Sequence, residues 1–111
     1  MTTPVVAIFH AKPGCEDVVD AMFRSVIEAT LKEEGCIAYQ LNRDMDDPAR
    51  FVWTEEWESR ASLDKHLAST HITDMFSKIP EFVDHSEVVV LSKLAGGLSG
   101  NISAENVCLT T

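Results

Sequence analysis

Residues 51–71, FVWTEEWESRASLDKHLASTH, combine side chains that can transfer protons with large aromatic side chains. Because alternate residues of a strand point the same way, Glu55 lies on one side of the chain with Trp53 and Trp57. A carboxylate between two indoles is partly desolvated, which disfavours its charged form unless a donor reaches it. Tyr39, on the neighbouring predicted strand, and the indole N–H groups are candidate donors. The pattern fits an internal hydrogen bond that stabilises the fold, and it equally fits a carboxylate at the base of a pocket.

Two histidines follow where the sequence becomes helical. His66 and His71 are five residues apart, about 140° of rotation on a continuous helix, so they do not form the i, i+4 pair of a zinc site. A helix break near residues 69–70 would let both imidazoles face one cleft between helix and sheet. A surface or capping role is the alternative for each. His10 and His85 lie at a predicted strand end and in a predicted loop, and their spacing indicates no site.

Composition limits the classes of function. The chain has 111 residues, enough for one domain, and a net charge of −9, which argues against nucleic acid or anionic membranes as partners. No apolar run is long enough to span a bilayer. Three cysteines without a C-x-x-C pair, and an N-terminus without a signal-peptide pattern, favour a reducing, cytoplasmic location.

The hydrophobic periodicity predicts alternating strands and helices. The order is β-α-β-β-α-β, an α+β ferredoxin-like arrangement with both helices on one face of an antiparallel sheet. The predicted elements are a strand at 4–11, a helix at 16–34 ended by Gly35, a strand at 36–43, a loop at 44–48, a strand at 50–58, a short helix after the N-cap Ser59, a helix at 72–79 stopped by Pro80, and a strand at 87–94.

Both faces of the predicted sheet are apolar. In the first strand, Val5 and Phe9 point one way, whereas Val6 and Ile8 point the other way. Helices on one face leave the second face to be covered, and a second copy of the same sheet is the simplest cover. The sequence therefore predicts a homodimer packed sheet to sheet, a dimeric α+β barrel. Residues 1–94 would form the domain, and residues 95–111 a tail that is flexible or reaches across to the partner.

Two stretches resemble the antibiotic biosynthesis monooxygenase superfamily, and particularly its small quinol monooxygenase branch. The marks are E-G-C followed by a tyrosine in LKEEGCIAYQL (31–41), then E-x-W, a leucine and a histidine three residues apart, and a second histidine in EEWESRASLDKHLASTH (55–71). The match in order and spacing covers about residues 4 to 94. The resemblance implies a dimeric ferredoxin-like fold. Many members oxidise phenols, anthrones or quinols with dioxygen, without metal or flavin.

The resemblance also assigns roles. It implies that Glu55, Trp57, His66 and His71 line or brace a pocket, with Tyr39 and Trp53 contributing from the sheet. His66 would then accept a proton from the substrate, Glu55 would orient or polarise His66, and no cofactor is expected.

Some branches of the superfamily degrade haem, using an asparagine on the first strand and a tryptophan on the second helix. This chain has His10 and His66 in those regions, so haem is not expected.

Two rival interpretations remain open. One is a metal-dependent version of the same pocket, in which two histidines and Glu55 form a two-histidine, one-carboxylate iron set. The other is a non-enzymatic dimeric binding module for a small hydrophobic metabolite.

Overall fold

A computed structural model describes residues 1–97 as a four-stranded antiparallel sheet with helices packed on one face. This confirms the ferredoxin-like α+β fold, with the strands in the order β2-β3-β1-β4. The elements are β1 (Thr3–Ala11), α1 (Glu16–Arg24), α2 (Ile27–Leu31), β2 (Cys36–Asp44), β3 (Asp47–Trp57), α3 (Arg60–Leu67), α4 (Thr70–Phe82) and β4 (Val83–Val90).

The core lies between the sheet and the helices. Alternate residues of β1 and β3 point inward and are buried, as a strand with one helix-covered face requires. Phe23 of α1 packs edge-on against Phe9 and Phe51, with ring centroids 5.1 and 5.8 Å apart, and lies 5.5 Å from the Trp53 ring. This aromatic cluster anchors the first helix to the two central strands.

The prediction of one helix over residues 16–34 is wrong, because the segment forms two helices. The interruption falls at Ser25, whose hydroxyl donates to the Met22 carbonyl at 2.6 Å and so competes with the regular helical pattern. The second, shorter helix buries Thr30 and directs the following loop toward α3. Gly35 in that loop has φ +87°, and a Cβ there would overlap the side chain of Ser62.

The prediction that Pro80 stops the last helix is also wrong. Pro80 lies inside α4, which runs on to Phe82. Pro80 lacks the N–H that would donate to the Phe76 carbonyl, so the helix loses one backbone hydrogen bond there. The carbonyls of the last turn find donors in Lys12, whose backbone N–H donates to Phe82 O at 2.8 Å and whose Nζ donates to Pro80 O at 2.9 Å.

The last strand begins four residues earlier than predicted, with Val83 buried opposite Ala11. The polar residues 84–87 resemble a loop in sequence, but an edge strand tolerates exposed polar side chains. His85 is therefore in a strand, directly opposite His10. The loop at 44–48 is shorter than predicted, because β3 already begins at Asp47.

The predicted domain and tail boundary at residues 94 and 95 stays a prediction, since residues 98–111 lie outside the described part of the chain. Among residues 1–97, no helix has the length and apolar character needed to cross a membrane.

Candidate active site

The break between α3 and α4 places both histidines on one cleft. Ser59 begins α3 as predicted, its hydroxyl accepting the Ser62 N–H at 3.1 Å. The helix ends at Leu67 and α4 starts at Thr70, so His66 lies in the last turn of one helix and His71 in the first turn of the next. The predicted break is confirmed, and the two imidazole centroids are 6.3 Å apart.

The two histidines meet at a carboxylate that the sequence analysis did not select. His66 Nδ1 lies 3.0 and 3.2 Å from the two carboxylate oxygens of Glu33, and His71 Nε2 lies 2.8 Å from Glu33 Oε2. The side chains of His66, Glu33 and His71 are 3%, 17% and 27% exposed. A signal for Glu33 existed: an acidic residue just beyond a helix C-terminus is opposed by the helix dipole, so it needs another reason to be there.

The hydrogen bonds of this cluster favour one assignment of the imidazole protons. The Thr30 hydroxyl donates to the Val26 carbonyl at 2.7 Å, so it accepts the hydrogen bond from the His71 Nε2–H, at 3.1 Å. An ionised Glu33 only accepts, which places a second N–H on His66 Nδ1. His66 Nε2 is then the unprotonated nitrogen, and it has no hydrogen-bond partner among residues 1–97.

Aromatic side chains enclose His66. Its ring lies 4.5 Å from that of Trp57 and 5.3 Å, edge-on, from that of Tyr39, which in turn stacks on Trp53 at 4.4 Å. Burial lowers the pKa of His66, although Glu33 partly offsets this effect. Burial raises the pKa of Tyr39, because in both residues it disfavours the charged form. Burial therefore favours the neutral imidazole, which can accept a proton.

Glu55 accepts a hydrogen bond from an indole N–H, one of the donors that the sequence analysis offered. Its Oε1 accepts the Trp57 Nε1–H at 2.9 Å. Burial raises the pKa of Glu55, and the Trp57 hydrogen bond counteracts part of that rise. The expected hydrogen bond from Glu55 to His66 is not formed: Glu33 lies at Nδ1 of His66, and Oε1 of Glu55 accepts from Trp57. The carboxylate beside the two histidines is Glu33, not the Glu55 of the predicted iron set.

Trp53 has a buried donor without an acceptor. The residue is 1% exposed, and its Nε1 is fully buried without a hydrogen-bond partner in the described residues. Buried polar groups are normally paired, so an unpaired one calls for an explanation. A donor of this kind next to a cavity can bind an oxygen atom of a ligand.

A small cavity lies between the sheet and α4. Its volume is about 20 Å³, room for about one water molecule. His66 and Glu55 both border it, and Tyr39 and Trp53 also contribute. Apart from His66 and Glu55, the lining is apolar or aromatic: Val5, Ala7, Phe9, Tyr39, Trp53, Leu63, Leu67, Ile72, Met75, Phe76 and Val88. Trp57 and His71 do not border the cavity but contact His66 or its carboxylate.

The fold and the site together define a class: a ferredoxin-like domain with a carboxylate-held histidine next to an apolar cavity. The sequence profile of the antibiotic biosynthesis monooxygenase family matches residues 4–78. The chain belongs to this family.

Individual relatives agree with that assignment. The uncharacterised protein sll1783 of Synechocystis is 27% identical over 91 residues. The match covers 82% of this chain and 62% of sll1783, so this chain spans less than two thirds of that relative's length. The structure of Rv0793 from Mycobacterium tuberculosis has a TM-score of 0.81 and 28% identity, covering 86% of this chain and 98% of that one. A crystal structure described as an antibiotic biosynthesis monooxygenase has a TM-score of 0.78 and 35% identity, covering 84% and 99%.

Proposed function

We propose that this protein is a monooxygenase that oxidises a quinol or a related electron-rich phenol with dioxygen, using no cofactor. The observation that carries the proposal is the geometry of His66. Its imidazole is buried at the edge of an apolar cavity, and Glu33 binds Nδ1, which leaves Nε2 unprotonated. Family membership supports the same class of reaction.

The first step is proton transfer to His66. A quinol gives up an electron far more readily as its anion, so removing the hydroxyl proton starts the reaction. Nε2 accepts this proton, and Glu33 stabilises the imidazolium that forms, as a carboxylate does for a catalytic histidine. His71, bound to the same carboxylate, keeps Glu33 oriented.

The oxygen chemistry then needs no external reductant. The quinolate transfers one electron to dioxygen, giving a semiquinone and superoxide, and their recombination forms a carbon–oxygen bond. Cleavage of the O–O bond leaves one oxygen atom on the ring and releases the other as water. The net reaction is quinol plus dioxygen to hydroxyquinone plus water, and all four electrons that dioxygen accepts come from the quinol.

Trp53 and Glu55 bind the oxygen atoms of the substrate in this proposal. The unpaired Trp53 Nε1–H donates to the developing oxyanion, which supplies the acceptor that it lacks in the free protein. The raised pKa of Glu55 favours its protonated form, which can donate to a second substrate oxygen. Trp57 holds Glu55 in place.

Substrate entry requires the cavity to widen, because its volume of about 20 Å³ is smaller than a phenol ring. The helix side of the cavity includes Leu67, Met75 and Phe76, of which Leu67 and Phe76 are only partly buried. Methionine adapts its shape at little cost. We propose that these three side chains move to admit an aromatic ring against Tyr39 and Trp53.

We also propose that the outer face of the sheet forms a homodimer. Val6, Ile8, Val52 and Val89 point away from the helices and are only partly buried in one chain. A second sheet would cover them. Sedimentation equilibrium would give twice the chain mass, and Val6→Glu would shift it to the mass of one chain. A wild-type protein that sediments as a single chain would contradict the dimer.

We place the protein in a cytoplasm, where Cys15 and Cys36 would stay free thiols, as they are in the structure.

Oxygen uptake with a naphthohydroquinone tests the enzymatic proposal. Chelator-treated wild-type protein should consume oxygen well above the autoxidation blank. His66→Ala should abolish the excess, and His85→Ala should leave it unchanged. With ¹⁸O₂, one labelled oxygen atom should appear in the hydroxyquinone. Catalase added to the assay excludes a simple oxidase, which would return oxygen from hydrogen peroxide.

The outcomes separate the rival functions. Oxygen uptake no faster than the blank would overturn the monooxygenase proposal. If the quinone nevertheless binds stoichiometrically, the binding-module interpretation replaces it.

A further inference from the structure

We propose that Glu33, His66 Nδ1 and His71 Nε2 bind one divalent cation of the zinc type. These three ligand atoms lie within 4.8 Å of one another at the junction of the α2–β2 loop, the end of α3 and the start of α4. Two imidazoles and one carboxylate form an N₂O set, which suits zinc, cobalt and nickel better than magnesium or calcium.

Two of the three ligand separations are already close to those of a metal site. Metal–ligand bonds of about 2.1 Å in a tetrahedron separate ligand atoms by about 3.4 Å. The carboxylate oxygen of Glu33 is now 3.0 Å from His66 Nδ1 and 2.8 Å from His71 Nε2. A cation that replaces these contacts therefore moves Glu33 about half an ångström away from each imidazole. The two imidazole nitrogens lie within 4.8 Å of each other and would end about 3.4 Å apart.

The charges around Glu33 favour a cation. Its side chain is 17% exposed, and in residues 1–97 its ion-pair partners are the two histidines, with no lysine or arginine among them. A mostly buried carboxylate is costly without a positive partner. A bound divalent cation supplies that charge without requiring either imidazole to be protonated.

The surroundings of the proposed metal site leave His71 accessible to solvent and hold His66 in place. His71 is 27% exposed, which leaves an entry path and a place for water as the fourth ligand. His66 is fixed by its ring contacts with Trp57 and Tyr39. A ligating side chain that is already held in place reduces the cost of assembling a metal site.

The consequence of binding rests on the proposed function. A cation on His66 Nδ1 leaves the single imidazole proton on Nε2, the nitrogen that must be free to accept a proton from the substrate. Metal binding and base catalysis therefore exclude each other, and zinc should inhibit the oxygenase.

Cobalt titration tests the site directly. Tag-free, chelator-stripped protein should bind one Co²⁺ per chain and develop the intense visible absorption of a tetrahedral complex. Glu33→Gln and His71→Gln should each weaken binding by more than about 100-fold, the upper end of the effect of removing a group that only orients a ligand. His85→Gln, an exposed control histidine, should bind as the wild type does. His71→Gln decides the question alone if Glu33→Gln does not fold, since His71 is the most exposed of the three.

Absence of a one-to-one complex, or equal binding by His71→Gln and wild type, would overturn the metal site. Cobalt binding that His85→Gln removes would also overturn it. The two proposals fail separately: oxygenase activity without cobalt binding removes only the metal site, whereas cobalt binding without oxygenase activity removes only the proposed function.

Discussion

The protein has two histidine–carboxylate clusters with similar contacts and different surroundings. On the helix side of the sheet, His66 Nδ1 lies 3.0 Å from Glu33. On the outer side, His10 Nδ1 lies 3.0 Å from Asp84, and its other nitrogen lies 3.4 Å from Asp47. The helix-side pair is mostly buried, whereas the outer side chains are between 37% and 44% exposed.

The difference shows that surroundings, more than residue type, make a site. In the single chain, water and salt screen the outer cluster, and exposed ion pairs of this kind contribute about 0–1 kcal/mol. The helix-side cluster has aromatic walls and an adjoining cavity, where removing water strengthens electrostatic interactions and leaves a nitrogen free for a ligand. Matched substitutions in the two clusters test this contrast.

The largest effect should come from changing the carboxylate in each cluster. Glu33→Gln replaces an acceptor with a group that can donate, so His66 loses the partner that keeps Nε2 unprotonated. Oxygenase turnover should fall by about 100- to 10,000-fold, the usual contribution of acid–base catalysis. Asp84→Asn should change turnover less than twofold. Steady-state oxygen uptake measures both, and equal losses would contradict the contrast.

The two tryptophans provide a second pair. Trp57→Phe removes the donor to a partly buried Glu55 and should cost about 1–3 kcal/mol beyond the lost packing. Trp53→Phe removes a donor that has no partner, so it should cost about 1–2 kcal/mol less in the free energy of unfolding from urea titrations. The turnover of Trp53→Phe should still fall about tenfold, because the substrate oxygen loses a hydrogen-bond donor. A greater stability loss in Trp53→Phe would contradict the assignment.

A smaller effect concerns Glu55 and pH. The pKa of Glu55 is raised on folding, so the folded state binds its proton more tightly than the unfolded state does. This interaction is fully present below the unfolded pKa of about 4.3 and is lost as pH rises through the folded pKa. Glu55→Gln imitates the neutral form, so it should be more stable than wild type at neutral pH, by about 1 kcal/mol. Urea titrations should show the gain vanish below about pH 4, and a gain that grows toward low pH would contradict the sign.

The smallest effect should come from the outer histidine. His10→Gln breaks two exposed ion pairs and should change the free energy of unfolding by about 0.5 kcal/mol or less. Thermal unfolding at low and high salt checks this, because any contribution should shrink as salt increases. A salt-independent loss of several kcal/mol would show that the outer cluster is also structurally essential.

The fold followed from the sequence because periodicity reports which face of an element is buried. The order of strands and helices, the Ser59 cap and the break between His66 and His71 were all readable. Features that depend on tertiary contacts were harder to predict from the sequence. The helix continues through Pro80 because Lys12, distant in sequence, supplies donors to its last carbonyls.

For the candidate site, the sequence indicated some of the contacts and missed others. Aromatic and acidic alternation placed Glu55 beside Trp57, and the indole does donate to that carboxylate. The partner of His66 was not readable, because Glu33 is 33 residues away and reaches it only after the first helical segment divides in two. Cavity volume depends on how side chains interlock, which no periodicity specifies.

The account depends most on which nitrogen of His66 carries the proton, and NMR measures this directly. A long-range ¹H–¹⁵N correlation spectrum of metal-free, histidine-labelled protein at neutral pH, assigned by the loss of one signal set in His66→Gln, identifies the tautomer. The predicted result is a neutral imidazole with its proton on Nδ1 and a free Nε2. A proton on Nε2, or a fully protonated ring, would contradict the claim that this histidine is the base.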